Sequence, residues 1–205
     1  MKLYNGMSPS GLRVSVFLAE KGLDIPTTSI NVLEGEARTP EFLAINSLGE
    51  VPVLELDDGQ IITESLAICR YFEILHPEPS LMGQSAAEQA HIEMWSRRIE
   101  LQILSVVGSI GLHEIPLFAD KIQQFPDYAA AQRRVFPKKL AWLDKEMSDG
   151  RSFVAGNDFT VADITGMAAM MICSFFEIEI PENLTHVKQW QESVMQRPSW
   201  PARHG

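Results

Sequence analysis

The sequence predicts an α/β domain with a mixed sheet, followed by an all-helical domain. Up to residue 76, short alternating segments typical of strands are interspersed with segments of helical periodicity, whereas beyond residue 86 only helical periodicity remains. Between them lies HPEPSLMGQSAAE, a stretch rich in proline, glycine and serine, which is typical of a linker. We therefore predict domains at residues 1–76 and 86–205, joined by a linker at 77–85.

The first domain has the order of a βαβ unit followed by a hairpin and a helix. Its predicted strands are KLYN, TTSINV, Val53–Leu56 and Ile61–Thr63, and its predicted helices cover residues 10–21, 39–46 and 65–75. Gly22 ends the first helix, because glycine adopts the left-handed conformation that follows many helices. Thr39 is a helix cap ahead of Pro40, which suits the first turn. The Asp57-Asp58-Gly59 stretch provides the hairpin turn.

The second domain consists of four predicted helices: Ala86–Leu112, Asp127–Met147, Val161–Phe176 and Leu184–Arg197. The third has the clearest start. Thr160 is placed to cap it while Asp163 reaches back, and Phe159 and Ile164 are spaced as a hydrophobic staple. The helix that follows is apolar nearly all round, so we expect it to be buried, with a structural role only.

Charge and composition exclude several classes of function. The net charge of −10 argues against a nucleic acid or an anionic membrane as partner. The longest uncharged run, residues 164–176, is shorter than the ~20 residues that a membrane span needs. The chain starts without a signal peptide, and Cys69 and Cys173 lack metal-binding spacing, so we expect a cytoplasmic protein with buried thiols and no metal site.

The stretch GEVPVLELDDGQIITESLA combines two unusual local features. Pro52 stands directly before a strand, where proline cannot donate to the ladder. Glu64 and Ser65 open a helix, whose first N–H groups lack partners within it. Residues 1–80 hold 5 Lys/Arg against 12 Asp/Glu, so an anionic ligand of this half would depend on backbone N–H groups and a few placed cations.

These segments carry a family resemblance. In order and spacing, the chain resembles cytosolic glutathione S-transferases in four segments: EVPVLE with its proline, TESLAICRYF, the linker and FTVADI. The type it resembles is bacterial and serine-dependent, with a zeta- or theta-like active-site motif. The resemblance covers essentially the whole chain. It implies a thioredoxin-like N-terminal domain, a helical C-terminal bundle, a homodimer, and a role in detoxification with glutathione as co-substrate and no metal.

The resemblance also implies how glutathione is held. Pro52 would be cis, which turns the backbone of Val51 towards the cysteinyl backbone of the ligand in a form of strand addition. Glu64 would bind the γ-glutamyl ammonium, and Ser65 with the following N–H groups would bind its carboxylate. Many relatives carry Gln or Lys at the position of Glu50, where an acid repels the glycine carboxylate of glutathione. Arg38 is the candidate to take over that contact.

Three residues are candidates for the group that stabilises the glutathione thiolate. Ser8 matches the serine of the zeta-like motif S-x-x-x-x-R-V, Ser10 falls where the bacterial beta class carries its cysteine, and Tyr4 is near the tyrosine of other classes. We favour Ser8, with Ser10 second, since Ser10 also stands where a helix cap belongs. Arg13 either adds positive potential at this site or forms an ion pair at the surface or an interface.

The electrophilic second substrate would bind in the cleft between the domains. Its predicted lining is Met7, Leu12, Met94, Trp95 and Leu112. Such residues are also common in cores, and the sequence does not select one electrophile. Arg97, Arg98 and Glu100 share the first helix of the second domain and suit either a dimer interface or an acidic co-substrate.

Two functions of different classes follow. The first is a glutathione S-transferase that activates glutathione for attack on a small electrophile, favoured by Ser8, Val51-Pro52 and Glu64-Ser65. The alternative is a catalytically silent, glutathione-transferase-like protein-interaction module, which Glu50 alone supports.

Overall fold

The structure, a computed structural model, describes residues 1–200. The chain divides into two units, with the boundary between Leu81 and Met82. The first unit contains a four-stranded sheet with three α-helices, and the second is mostly helical. The predicted fold class is thereby confirmed. Within residues 1–200, no helix is long and apolar enough to cross a membrane.

The sheet of the N-terminal unit is mixed and has the spatial order β2-β1-β3-β4. Its strands are β1 (Lys2–Asn5), β2 (Thr27–Ser29), β3 (Val53–Glu55) and β4 (Ile61–Ile62). β1 pairs in parallel with β2 and antiparallel with β3, and β3 and β4 form the predicted antiparallel hairpin. β2 is shorter than the TTSINV segment, because the chain turns after it: the side chain of Asn31 accepts a hydrogen bond from the N–H of Glu34 at 3.3 Å.

Three helices complete this unit: α1 (Pro9–Glu20), α2 (Pro40–Ile45) and α3 (Ser65–Leu75). Gly22 follows α1 with a φ of +65°, the left-handed conformation expected of a stop signal. Thr39 caps α2 as predicted, since its Oγ1 accepts a hydrogen bond from the N–H of Phe42. α1 and α3 pack against each other, and this contact brings the beginnings of both helices to the same part of the unit.

Up to residue 200, the helical unit contains five α-helices: α4 (Ala86–Ile99), α5 (Ser105–Glu114), α6 (Pro126–Glu146), α7 (Val161–Phe175) and α8 (Thr185–Met195). The single helix expected over 86–112 is interrupted by a π-helical turn at Glu100–Leu104. In this turn the carbonyl of Glu100 accepts from the backbone N–H of Ser105, five residues further on, and also from the Ser105 hydroxyl at 2.8 Å. Helical periodicity alone does not reveal such an inserted residue.

α7 is the buried centre of the helical unit, and its start is built as the sequence predicts. Thr160 Oγ1 accepts a hydrogen bond from the first turn, and Asp163 Oδ2 accepts one from the N–H of Thr160 at 2.9 Å. The other carboxylate oxygen, Oδ1, accepts from the N–H of Val154 and from Nε1 of Trp190, both at 2.8 Å. One buried carboxylate thus joins a loop, α7 and α8.

Candidate functional site

A short loop before β3 is held in shape by Asn46. Its side-chain Nδ2 donates to the carbonyl of Glu50 at 2.8 Å, and its Oδ1 accepts from the N–H of Leu48 at 3.2 Å. Gly49 has a φ of +60°, and an added Cβ there would lie 2.7 Å from the carbonyl oxygen of Ala37. The loop therefore depends on an asparagine at its start and a glycine near its end, which explains the NSLG sequence.

The loop ends in a backbone edge at Val51. The peptide bond between Val51 and Pro52 is cis, and β3 begins at the next residue. The side chain of Val51 is buried in a small core with Phe42 and Val53. Within the described part of the chain, the N–H and C=O of Val51 have no hydrogen-bond partner. This edge can therefore pair with an extended ligand.

The first turn of α3 lies beside this edge. Glu64, the residue before the helix, has a φ of +65°, a strained conformation that is uncommon for a residue with a side chain and clusters at ligand-binding sites. Its exposed carboxylate does not cap the helix. Because the first N–H groups of a helix have no partner within it, the turn that starts at Ser65 offers donors and positive potential to an anion.

These features line one pocket of the N-terminal unit. Its nine lining residues are Ser10, Asn46, Leu48, Glu50, Val51, Pro52, Thr63, Glu64 and Ser65. Five of the predicted ligand-binding residues, 50–52 and 64–65, thus meet in one place together with the second serine candidate. Three further lining residues, Asn46, Leu48 and Thr63, were not predicted from the sequence. Their neighbours Glu50 and Glu64 carried the signal, because residues two to four positions away in a loop share its surface.

The serine candidates take different places at the start of α1. Ser8, not Ser10, is the helix cap: its Oγ accepts a hydrogen bond from the N–H of Gly11 at 2.9 Å, and the helix begins at Pro9. The expectation that Ser10 occupies the cap position was wrong. Proline favours the first helical position, so the helix begins at Pro9 and its cap is the residue before it. Ser10 lies in the first turn and lines the pocket. Ser8 keeps its hydroxyl hydrogen without an acceptor among residues 1–200.

Tyr4, the third candidate, is part of the sheet. Its hydroxyl donates to Oε2 of Glu55 on the neighbouring strand β3 at 2.8 Å, and its ring contacts Phe42 edge-on. A hydroxyl that already donates to a carboxylate has no hydrogen left for another acceptor.

Close packing fixes the segment between β1 and α1. Nδ2 of Asn5 donates to the carbonyl of Gly11 at 3.2 Å and to Oγ of Ser15 at 3.0 Å. A Cβ added at Gly11 would lie 2.3 Å from the carbonyl oxygen of Gly6. Only glycine fits at position 11, so the positions of Ser8 and Ser10 are set by backbone contacts.

Arg38 lies next to the loop that Asn46 organises. Its Nη1 donates to the carbonyl of Leu48 at 2.8 Å, and the side chain is exposed. The guanidinium is thereby held near two lining residues, Leu48 and Glu50, with further donors available. It is a cation close to the acidic side of the pocket.

The five residues predicted to contact a second substrate differ in exposure. In the first unit, Met7 is exposed and Leu12 is buried. In the helical unit, Met94 and Leu112 are exposed, whereas Trp95 is only 3% exposed. The ring of Trp95 stacks on Trp142 with centroids 6.1 Å apart, and Arg151 lies 4.3 Å from its centroid. Trp95 is therefore a packing residue of its own unit.

The charged residues of α4 make contacts within their own unit. Arg97 forms an ion pair with Glu100, one turn further along the chain. The guanidinium of Arg98 lies 5.0 Å from the ring centroid of Trp95, a cation–π distance.

Metal-ligating clusters and reactive thiols are two further kinds of chemical group that a site can use. Residues 1–200 contain no group of three or more His, Cys, Asp or Glu side chains that could hold a metal ion. Cys69 and Cys173 are free and buried, and burial raises the pKa of each thiol to about 12.

Comparison with known protein families gives two matches in chain order. The family model described as "Glutathione S-transferase, N-terminal domain" matches residues 7–74, and the one described as "Glutathione S-transferase, C-terminal domain" matches residues 95–198. The second match alone covers half of the chain.

Individual relatives agree with these matches. The chain is 34% identical over 195 residues to "Glutathione S-transferase 2" of Saccharomyces cerevisiae, covering 93% of this chain and 83% of that protein. It is 34% identical over 172 residues to "Glutathione S-transferase zeta class" of Euphorbia esula, covering 80% of this chain and 72% of that protein.

Solved structures show the same similarity in three dimensions. A glutathione S-transferase domain-containing protein of Marinobacter aquaeolei superposes with a TM-score of 0.91 at 38% identity, covering 98% of this chain and 100% of that one. Gtt2 of Saccharomyces cerevisiae also superposes with a TM-score of 0.91, at 34% identity, over 98% of this chain and 99% of its own.

Proposed function

Because the chain belongs to the glutathione S-transferase family, we propose that it binds glutathione in the pocket of its N-terminal unit and activates it as a thiolate for attack on a small electrophile. The observation that carries this proposal is the unpaired backbone of Val51 beside the first turn of α3. A tripeptide with an amino group and two carboxylates needs one backbone edge and charged groups around it, and the pocket offers both.

The backbone of Val51 supplies the register of binding. Its N–H and C=O pair with the cysteinyl residue of glutathione, as an added strand pairs with a sheet edge. This contact fixes the direction of the tripeptide. The γ-glutamyl end then extends to α3, and the glycine end extends to the loop of Glu50.

The two ends of glutathione are recognised by charge. The exposed carboxylate of Glu64 binds the γ-glutamyl ammonium, while the hydroxyl of Ser65 and the first N–H groups of α3 bind the γ-glutamyl carboxylate. At the other end, Arg38 binds the glycine carboxylate and offsets the repulsion from Glu50. Arg38 already donates a hydrogen bond to the carbonyl of Leu48, in the loop that leads to Glu50.

Activation of the thiol requires a donor at the sulfur. A free thiol has a pKa of about 8.5, and lowering it by about two units takes roughly 2.7 kcal/mol of preferential stabilisation of the thiolate. We assign this role to Ser8. Its Oγ accepts from Gly11, which leaves the hydroxyl hydrogen to donate to sulfur while the N-terminus of α1 adds positive potential. Ser10, which lines the pocket, is the alternative donor.

The family resemblance supports three further parts of this proposal. The protein acts as a homodimer, it uses no metal, and its electrophile is a small hydrophobic compound of the kind that detoxifying enzymes conjugate. Light scattering tests the first part: a two-fold dimer is expected at micromolar concentration, and a mass near the 22.9 kDa of one chain would contradict it.

A second function is favoured by one feature of the pocket. Glu50 places a carboxylate among the lining residues, where it repels an anionic peptide end. A chain that has lost affinity for glutathione would be a catalytically silent interaction module with the same fold.

Titration with glutathione, followed by a panel of electrophiles, separates the two functions. The transferase proposal predicts saturable binding and conjugation of at least one halide, epoxide or activated alkene. Absence of glutathione binding by calorimetry at millimolar ligand would favour the interaction module. Arg38→Gln serves as a variant that should weaken binding through the glycine end alone.

A further inference from the structure

We propose that Arg13 is a positioning residue for the recognition of the γ-glutamyl carboxylate of glutathione, acting through the hydroxyl of Ser65. This inference rests on the proposed function, because it concerns one end of the same pocket. It concerns a buried residue of α1 that does not line the pocket.

The contact that carries the inference joins two helices from distant parts of the chain. Nη1 of Arg13 donates to Oγ of Ser65 at 2.7 Å, across 52 residues of sequence. Arg13 is only 3% exposed and Ser65 only 4%. Burial of a guanidinium is costly unless it forms well-placed hydrogen bonds. The expected surface position of Arg13 is wrong, because its side chain is buried within the N-terminal unit.

The chemistry of the guanidinium fixes the role of the serine hydroxyl. An arginine side chain can only donate hydrogen bonds, so Oγ of Ser65 must act as the acceptor in this contact. The hydroxyl hydrogen of Ser65 is then left to donate elsewhere. Since Ser65 lines the pocket, a carboxylate bound there is the natural acceptor. A serine without this partner could turn its hydrogen away from the ligand.

The positive charge of Arg13 acts in the same direction as the geometry. It lies against the first turn of α3, where it adds to the positive end of the helix dipole. The charge of Arg13 also acts on Cys69, one turn further along α3. Burial raises the pKa of that thiol, and the positive charge of Arg13 partly offsets this rise. Residues 1–80 carry 5 Lys/Arg against 12 Asp/Glu, so a single buried cation at this position matters for binding an anion.

The same geometry separates Arg13 from the chemistry at sulfur. Its hydrogen bond to Ser65 lies at the γ-glutamyl end of the pocket, whereas the thiol is assigned to the serines at the start of α1. We therefore expect Arg13 to affect the affinity for glutathione and to leave the pKa of the bound thiol unchanged. A residue that merely holds the fold together would not produce this separation.

The test compares Arg13→Gln, Arg13→Lys, Ser65→Ala and the double variant Arg13→Gln/Ser65→Ala, with glutathione affinity measured by calorimetry. Loss of one charge-assisted hydrogen bond predicts about tenfold weaker binding for Arg13→Gln. Lysine keeps the charge without the planar fork, so Arg13→Lys should lie in between. Because the two residues share one hydrogen bond, the double variant should lose less affinity than the sum of the two single losses. Arg70→Gln, which removes an exposed arginine of α3, is the matched control.

A second ligand tests the carboxylate directly. Glutathione whose γ-glutamyl α-carboxylate is replaced by a carboxamide should bind the wild type and Arg13→Gln almost equally, because the charge that Arg13 serves is gone. Additive losses in the double variant, an equal penalty for both ligands, or a raised thiol pKa in Arg13→Gln would overturn the inference.

The outcomes also separate this inference from the proposed function. If Arg13→Gln does not fold, as circular dichroism would reveal, Arg13→Lys and the carboxamide ligand decide the question with folded protein. If the wild type does not bind glutathione, the proposed function fails together with the inference. If the wild type binds and all Arg13 variants bind equally well, the inference alone is wrong.

Discussion

Removal of the Asp163 carboxylate is expected to destabilise the helical unit more than any surface change. The side chain is fully buried and accepts hydrogen bonds from three N–H donors: the backbone of Val154, the backbone of Thr160 and Nε1 of Trp190. These donors belong to a loop, to the start of α7 and to α8. Asp163→Ala leaves all three in a buried place without an acceptor.

The magnitude follows from the number of donors that lose their partner. Each buried unsatisfied donor costs about 1–3 kcal/mol, and part of this is offset because a carboxylate no longer has to be buried. We expect Asp163→Ala to lower the free energy of unfolding by about 4 kcal/mol, at the upper end of single substitutions. Asp163→Asn keeps one oxygen, which can still serve Val154 and Trp190, so only the donor of Thr160 is lost. Its expected cost is about 1–3 kcal/mol.

Urea unfolding followed by far-UV circular dichroism measures these differences. Asp158→Asn, a change of the same chemistry at an exposed position of the same loop, should stay within about 0.5 kcal/mol of the wild type. Equal stability of Asp163→Ala and Asp158→Asn would refute the account of the carboxylate as the link between these three elements. Asp163→Asn as costly as Asp163→Ala would show that the negative charge, and not the number of acceptors, carries the effect.

Two further predictions concern the N-terminal site and the thiols. Glu64→Ala and Glu64→Gly both remove the carboxylate expected to bind the γ-glutamyl ammonium, so both should weaken glutathione binding about tenfold in calorimetry. Because only glycine suits the φ of +65°, Glu64→Gly should be the more stable of the two in thermal unfolding. Unchanged glutathione affinity in both variants would contradict the role of Glu64. Cys69 and Cys173 should not react with a disulfide reagent at neutral pH in the folded protein, because burial raises the pKa of each thiol to about 12 and only the thiolate attacks. Denaturation should make both thiols reactive. Rapid labelling of the native protein would contradict the burial of these two side chains.

Local signals in the sequence predicted local structure well. The capping box of Thr160 and Asp163 and the cap at Thr39 were found because each depends on residues three positions apart, whose chemistry is readable from the chain itself. The stop at Gly22 was found because a single glycine adopts the left-handed conformation that ends a helix. The cap of α1 was misplaced by two residues, at Ser10 instead of Ser8, because Pro9 and two nearby serines all suit a helix start and their competition is not decided by spacing.

Long-range contacts could not be predicted from one sequence. Arg13 and Ser65 are 52 positions apart, and no local pattern indicates that a helix arginine meets a helix-start serine. The second and third acceptor roles of Asp163, towards Val154 and Trp190, depend on tertiary packing in the same way. The π-helical turn was missed because one inserted residue barely changes the apolar periodicity of a long helix.

The central claim is that a serine at the start of α1 stabilises the thiolate of bound glutathione, and the titration of that thiol tests it most directly. Ultraviolet absorbance of the glutathione thiolate is followed against pH for the wild type, Ser8→Ala, Ser10→Ala and Tyr4→Phe, each saturated with glutathione. We predict a bound-thiol pKa well below ~8.5 in the wild type, a clear rise in Ser8→Ala with little change in glutathione affinity, and no change in Tyr4→Phe, whose hydroxyl already donates to Glu55. A rise confined to Ser10→Ala would transfer the role to the serine that lines the pocket. An unchanged thiol pKa in all three variants would contradict the account, because the thiolate would then be held by backbone N–H groups and the helix dipole alone.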